Sequence, residues 1–158
     1  MADNKYLLNV SIGPVQEFIA EARKTRDLWV GSYMLSMVTF KALEPLIKNN
    51  CKIIYPFITD SSLYKKIIIK LQVTDESLQI ASIPNHFLVV VSGNALEDII
   101  KKSKQNLDDY WTGLAKNIKD KLNNLLVNIP YNWFSQWDSQ VNDLWQLCGW
   151  LYLQVMRN

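Results

Sequence analysis

Histidine, cysteine, glycine and proline are all scarce in this chain, and each scarcity narrows what it can be. The two cysteines, Cys51 and Cys148, have neither metal-ligand spacing nor the density of a disulfide framework. Five glycines and five prolines in 158 residues describe a folded chain and not a low-complexity one. The longest apolar-leaning run, Leu28 to Phe40, is too short to cross a bilayer and carries serines and a threonine. The first residues, Ala2, Asp3, Asn4 and Lys5, are polar and offer no signal-peptide core, which points to the cytoplasm. A net charge of +2 is too small to argue for nucleic-acid binding. The strand–turn–helix at the start holds a single glycine and neither standard phosphate-loop spacing.

What the chain does have is apolar residues at 49% and length enough for one domain with a real core. Tyr6 to Ile12 alternates as a strand, and Gly13-Pro14 breaks it. A helix is predicted from about Asp27 to Leu43, ended or bent by Pro45 and closed by Asn49-Asn50. Its faces (Leu28, Leu35, Val38, Ala42 and Leu46 against Met34, Met37 and Phe40) leave little polar surface, so it should be buried on more than one side. Cys51–Tyr55 reads as a short strand, and residues 57–78 as an insertion. Gln79–Ile83 and His86–Ser92 read as strands joined by a Pro84-Asn85 turn. Asn94 and Glu97 open a long amphipathic helix running to Leu125. Tyr131–Cys148 reads as loop and short helix, and WLYLQVM as a last strand. The order implies an α+β, ferredoxin-like βαββαβ domain over residues 1–158.

The string SIGPVQEFIAEARKTRDLWVGSYMLS, with IIYP at Ile53–Pro56, IPNHFLVVVSG at Ile83–Gly93 and a Trp-rich end, closely resembles one protein family. It is similar to the first palm-like domain of the large subunit of type III-B CRISPR effector (Cmr) complexes, in members without an N-terminal HD domain. The resemblance implies a degenerate polymerase- or cyclase-type palm at the N-terminal part of a larger subunit. In the intact form that subunit uses ATP and a divalent metal to make cyclic oligoadenylate during antiviral defence. Palms of that type hold metal ions with acids after the first strand and in the middle hairpin. Here those places read Ser11-Ile12-Gly13-Pro14-Val15-Gln16 and Ile83-Pro84-Asn85-His86-Phe87, without an acid, and there is no GGDD sequence. With His86 as the sole histidine there is no HD site, and two cysteines cannot make a four-cysteine zinc cluster. The chain alone is therefore expected to be no enzyme and to bind no cofactor or metal of its own.

By resemblance, the nucleotide-binding candidates are Gly13, Gln16, Arg23, Arg26, Ser32 and Ser36. Each has a plainer reading. Gly13-Pro14 is also ordinary turn chemistry, although that leaves Gln16 unexplained. Arg23, Lys24 and Arg26 could meet phosphates of ATP or of guide–target RNA, or form a solvated basic turn beside Glu17, Glu21 and Asp27. Ser32 and Ser36, one helical turn apart, could hydrogen-bond adenosine or simply permit close packing. His86 reads as a surface or capping residue and Asn85 as a turn former. Six tryptophans are many for this length. Trp133, Trp137 and Trp145 are core candidates that could equally form a docking interface. The implied partners are a GGDD palm, other subunits of the ribonucleoprotein, ATP, and guide and target RNA indirectly, with no membrane. The alternative is a free-standing binding or regulatory module from a split or decayed subunit.

Overall fold

A computed structural model describes residues 4–13, 15–20, 22–125, 133–148 and 151–157, with side chains as far as Asn142 except those of Glu17 and Phe18. Pro14, Glu21, Tyr131 and Trp150, and the side chains of Trp145 and Cys148, lie outside the described residues. Four strands, β1 (Lys5–Ile12), β2 (Lys52–Tyr55), β3 (His86–Ser92) and β4 (Leu151–Arg157), form one sheet in the order β2-β3-β1-β4. All three pairings are antiparallel. The long helices are α2 (Thr25–Lys48), after a short α1 (Val15–Ala20), and α5 (Leu96–Leu125), which leads to α6 (Trp133–Cys148). The domain is thus a mixed α+β unit built on a small antiparallel sheet.

Alternation along β1 and β3 explains the layering. Leu8, Val10 and Ile12 with Phe87, Val89 and Val91 are almost wholly buried and share the core with Leu35, Val38, Phe40, Leu43 and Leu46 of α2. On α5 the buried positions are Ile99, Ser103, Leu107, Trp111 and Ala115. That four-residue spacing keeps one stripe against α2. The 3₁₀ turn before α5 begins at Gly93, which must be small. A Cβ there would sit 2.8 Å from the Tyr6 ring and 2.9 Å from the Asn4 carbonyl oxygen, which accepts the Gly93 N–H at 2.7 Å.

Three expectations need correction. Pro45, expected to end or bend the first long helix, does not end it, since the helix continues to Lys48. Proline at 45 removes the N–H that would bond to the Lys41 carbonyl. That carbonyl instead accepts the Asn106 side-chain amide of α5 at 2.6 Å. The helix stops at Asn49-Asn50, as expected. Asn50 takes a left-handed φ of 55°, and the N–H groups of Asn50 and Cys51 return to the carbonyls of Ile47 and Leu46.

Second, residues 79–85 form no strand; the partner of β3 in the middle of the fold is β2, with Lys52 opposite Val90 and Tyr55 opposite Leu88. The Ile83 N–H that a ladder would have used donates instead to the Ser36 hydroxyl at 2.8 Å. The insertion folds as two short helices, α3 (Ser62–Ile67) and α4 (Asp75–Leu78), capped by Ser61 and Thr74. Its Ile58, Leu63 and Leu78 join the core. Third, residues 133–148 make one 16-residue helix where loop and a short helix were expected. Trp133, Trp137 and Val141 repeat at helical spacing, and Val141 packs on the core.

Candidate functional site

The site predicted from the sequence starts where β1 ends. The Ile12 N–H donates to the Asn85 carbonyl at 2.8 Å, and the Asn85 amide donates to the Ile12 carbonyl at 3.0 Å. One asparagine thus clamps the 84–86 turn to the strand end, with Ser11 paired to His86 and buried Gly13 next in line. Ser36 is 1% exposed and holds Ile83, just before that turn. Ser32 is half-buried, one turn nearer the start of α2. The fold therefore gathers Gly13, Asn85 and the Ser32–Ser36 face at one end of the sheet, although the Ser36 oxygen already accepts a backbone proton.

Gln16 is exposed on α1. Arg23 and Arg26 are exposed where α2 begins, and neither guanidinium has a partner among the described residues. The Asp27 carboxylate accepts the N–H groups of Lys24 at 3.1 Å and Arg23 at 3.3 Å, so it caps the helix through backbone and leaves the arginine heads in solvent. Arg26 lies six residues from Ser32, about 9 Å along the axis. The basic turn thus lies nearly two helical turns from Ser32.

Sequence reasoning missed two features. Leu28, Trp29 and Val30 are 43%, 45% and 40% exposed, so the first turns of α2 form an apolar shelf, with Trp29 stacked on Tyr33 at 5.9 Å. The apolar run suggested burial against its own sheet and against another domain, and within this domain burial starts only at Leu35. The second is a Tyr55–His86 ring stack at 4.7 Å, which only the β2–β3 register brings together.

Of the tryptophan candidates, Trp133 and Trp137 are half-buried with rings 5.4 Å apart. Their helix is tied to α5 by Lys119, which pairs with Asp138 at 2.6 Å and lies over the Phe134 ring at 5.2 Å. The Trp111 Nε1–H also donates to the Val141 carbonyl at 3.2 Å.

Chemically, the β1 end offers amide, hydroxyl and backbone groups. Ser11, Gly13, Asn85 and His86 are a poor donor set for a hard divalent cation, which wants carboxylates. No three His, Cys, Asp or Glu side chains converge among the described residues. Burial raises the Cys51 thiol above its usual range, so it is no poised nucleophile. No helix among the described residues is long and apolar enough to cross a membrane.

An α+β domain with an antiparallel sheet, a helical layer on one face and an acid-free strand end is the class that fold and site define. The family described as "CRISPR-associated protein Cmr2, N-terminal" matches residues 7–116, and the chain belongs to it. A curated relative, the "CRISPR system Cmr subunit Cmr2" of Pyrococcus furiosus, is 37% identical over 116 residues, which is 72% of this chain. The match spans 13% of that relative's length.

Proposed function

We propose that this chain is a ferredoxin-like palm that has lost its metal chemistry and serves a type III CRISPR effector large subunit as scaffold and nucleotide-pocket wall. The observation that carries the reading is the strand order β2-β3-β1-β4, fully antiparallel with helical crossovers, in a chain matching the Cmr2 N-terminal family. That order sets the β1 end beside the 84–86 turn, where palms do their chemistry, and here neither place holds a carboxylate. Gly13, Gln16 and Ser32 would face the nucleotide, Ser36 would brace the turn, and Arg23 and Arg26 would meet phosphates. A GGDD palm would supply the metal-binding acids across an interface and make cyclic oligoadenylate from ATP. The exposed Leu28–Trp29–Val30 shelf and the helix bearing Trp133, Trp137 and Trp145 are the docking surfaces this role needs. Other subunits of a cytoplasmic ribonucleoprotein would be the partners, with guide and target RNA reached through them.

Calorimetric titration of the chain with ATP tests the pocket. Binding without turnover is expected, and Gln16→Ala or Arg26→Ala should weaken it about tenfold, the worth of one hydrogen bond to a charged group. Metal-dependent consumption of ATP by the chain itself would falsify the non-catalytic reading. Affinity unchanged in both variants would remove these residues from the pocket.

A further inference from the structure

The open face of the sheet carries a feature that the nucleotide reading does not use. Its rows follow from the register: Lys5 with Ser92, Leu7 with Val90 and Lys52, Asn9 with Leu88 and Tyr55, and Ser11 with His86. Leu7, Leu88 and Val90 are half-buried and stand outside the core. None of the described strands contains an aspartate or glutamate, whereas Lys5 and Lys52 on this face are cationic. Lys5 and Lys52 flank a groove of about 330 Å³ that lies at the end of the sheet, bounded by Val90 and Ser92 on this face and by Val91 and Ile99 on the helix side. At the other end the Tyr55 and His86 rings, both exposed, stack at 4.7 Å with planes 22° apart. Val90 and His86 are four residues apart on one strand, so the two ends are separated by about 13 Å.

We propose that this face is a platform for single-stranded RNA. The Lys5–Lys52 groove takes backbone phosphate, and a base extends the Tyr55–His86 stack at the far end. Three properties select this occupant over a protein. The strands offer cations and no carboxylate, matching a polyanion. The exposed rings present π-faces, on which any base stacks. Beside the rings on β1, Asn9 and Ser11 put short hydrogen-bonding groups in the same rows, where a 2′-hydroxyl can be met, and an antiparallel four-stranded sheet with surface aromatics is a shape single-stranded RNA fits. The proposal rests on the sheet face, and its ring stack includes His86 of the 84–86 turn, so it adjoins the end of β1 where ATP is proposed.

The test is fluorescence anisotropy of a labelled oligouridylate titrated with this chain, alongside the matching DNA strand and an RNA duplex. Single-stranded RNA should bind tightest. Tyr55→Ala and His86→Ala should each raise Kd about fivefold to a hundredfold, the loss of one base stack, while Tyr55→Phe should keep most of the affinity. Lys52→Gln should weaken binding and lower the salt slope by about one unit. A bromouridine-containing strand should photocrosslink to peptides containing Tyr55 or His86 in the unsubstituted protein, which needs no variant to fold. Absence of binding, equal affinity for the duplex, or an isotherm that Tyr55→Ala and His86→Ala leave unmoved would overturn the proposal. Crosslinks confined to the Arg23–Arg26 turn would do so as well.

Discussion

Glu44 shows how a single side chain is kept charged in a poor place for charge. It is 6% exposed on α2, and burial alone would raise its carboxyl. Hydrogen bonds from Lys48 at 2.6 Å and Lys41 at 2.8 Å, the Lys41 charge and the Asn106 amide together outweigh that and leave it below the ordinary 4.5. A carboxyl depressed by folding stabilises the fold above its unfolded value and stops doing so as pH falls through the folded one. The stability advantage of the parent over Glu44→Gln should therefore be constant above pH 4.5 and shrink steadily below it. Urea midpoints of both proteins across that range check this. A gap that widened on acidification would contradict the ion-pair account.

At the scale of elements, α2 and α5 are joined by a polar repair as well as by apolar packing. Pro45 leaves the Lys41 carbonyl without its helical donor, and Asn106 supplies one at 2.6 Å. Asn106→Leu should cost about 1–3 kcal/mol, because a partly buried acceptor loses its partner. In a Pro45→Ala background residue 45 regains its N–H, so the same Asn106→Leu change should cost clearly less. A double-mutant cycle by denaturant unfolding measures the coupling, and additive costs would show that Asn106 is not compensating for the proline. The end of this helix was readable from Asn49-Asn50. Its passage through Pro45 was not, because the compensating amide lies 61 residues further along the chain.

For the whole molecule the decisive asymmetry is between what is buried within the domain and what is not. The Leu28–Trp29–Val30 shelf contributes little to folding, since each residue keeps 40% or more of its surface in solvent. Trp29→Ser should then cost only the part-buried ring and its stack on Tyr33, about 1–2 kcal/mol. The same substitution should abolish or strongly weaken capture of a GGDD palm in a pull-down. A large loss of stability would mean that the shelf packs at home and has no docking role.

The residue patterns alone settled the strands Lys5–Ile12, Lys52–Tyr55 and His86–Ser92 and the long helix Leu96–Leu125 to within a residue or so. Each is a local property: alternation of apolar residues, a helical stripe, a capping sequence at its start. The long matched motif likewise identified the family without any coordinates. Tertiary structure decided the rest. Whether 79–83 became a strand depended on Ser36, 47 positions away, taking the Ile83 N–H. Whether Leu28–Val30 were core or surface depended on what packs on the first turns of α2, where burial starts only at Leu35. The Tyr55–His86 stack depended on β2 reaching β3 across the whole insertion. Those outcomes turn on partners distant along the chain, and local pattern does not encode which partner a group will meet.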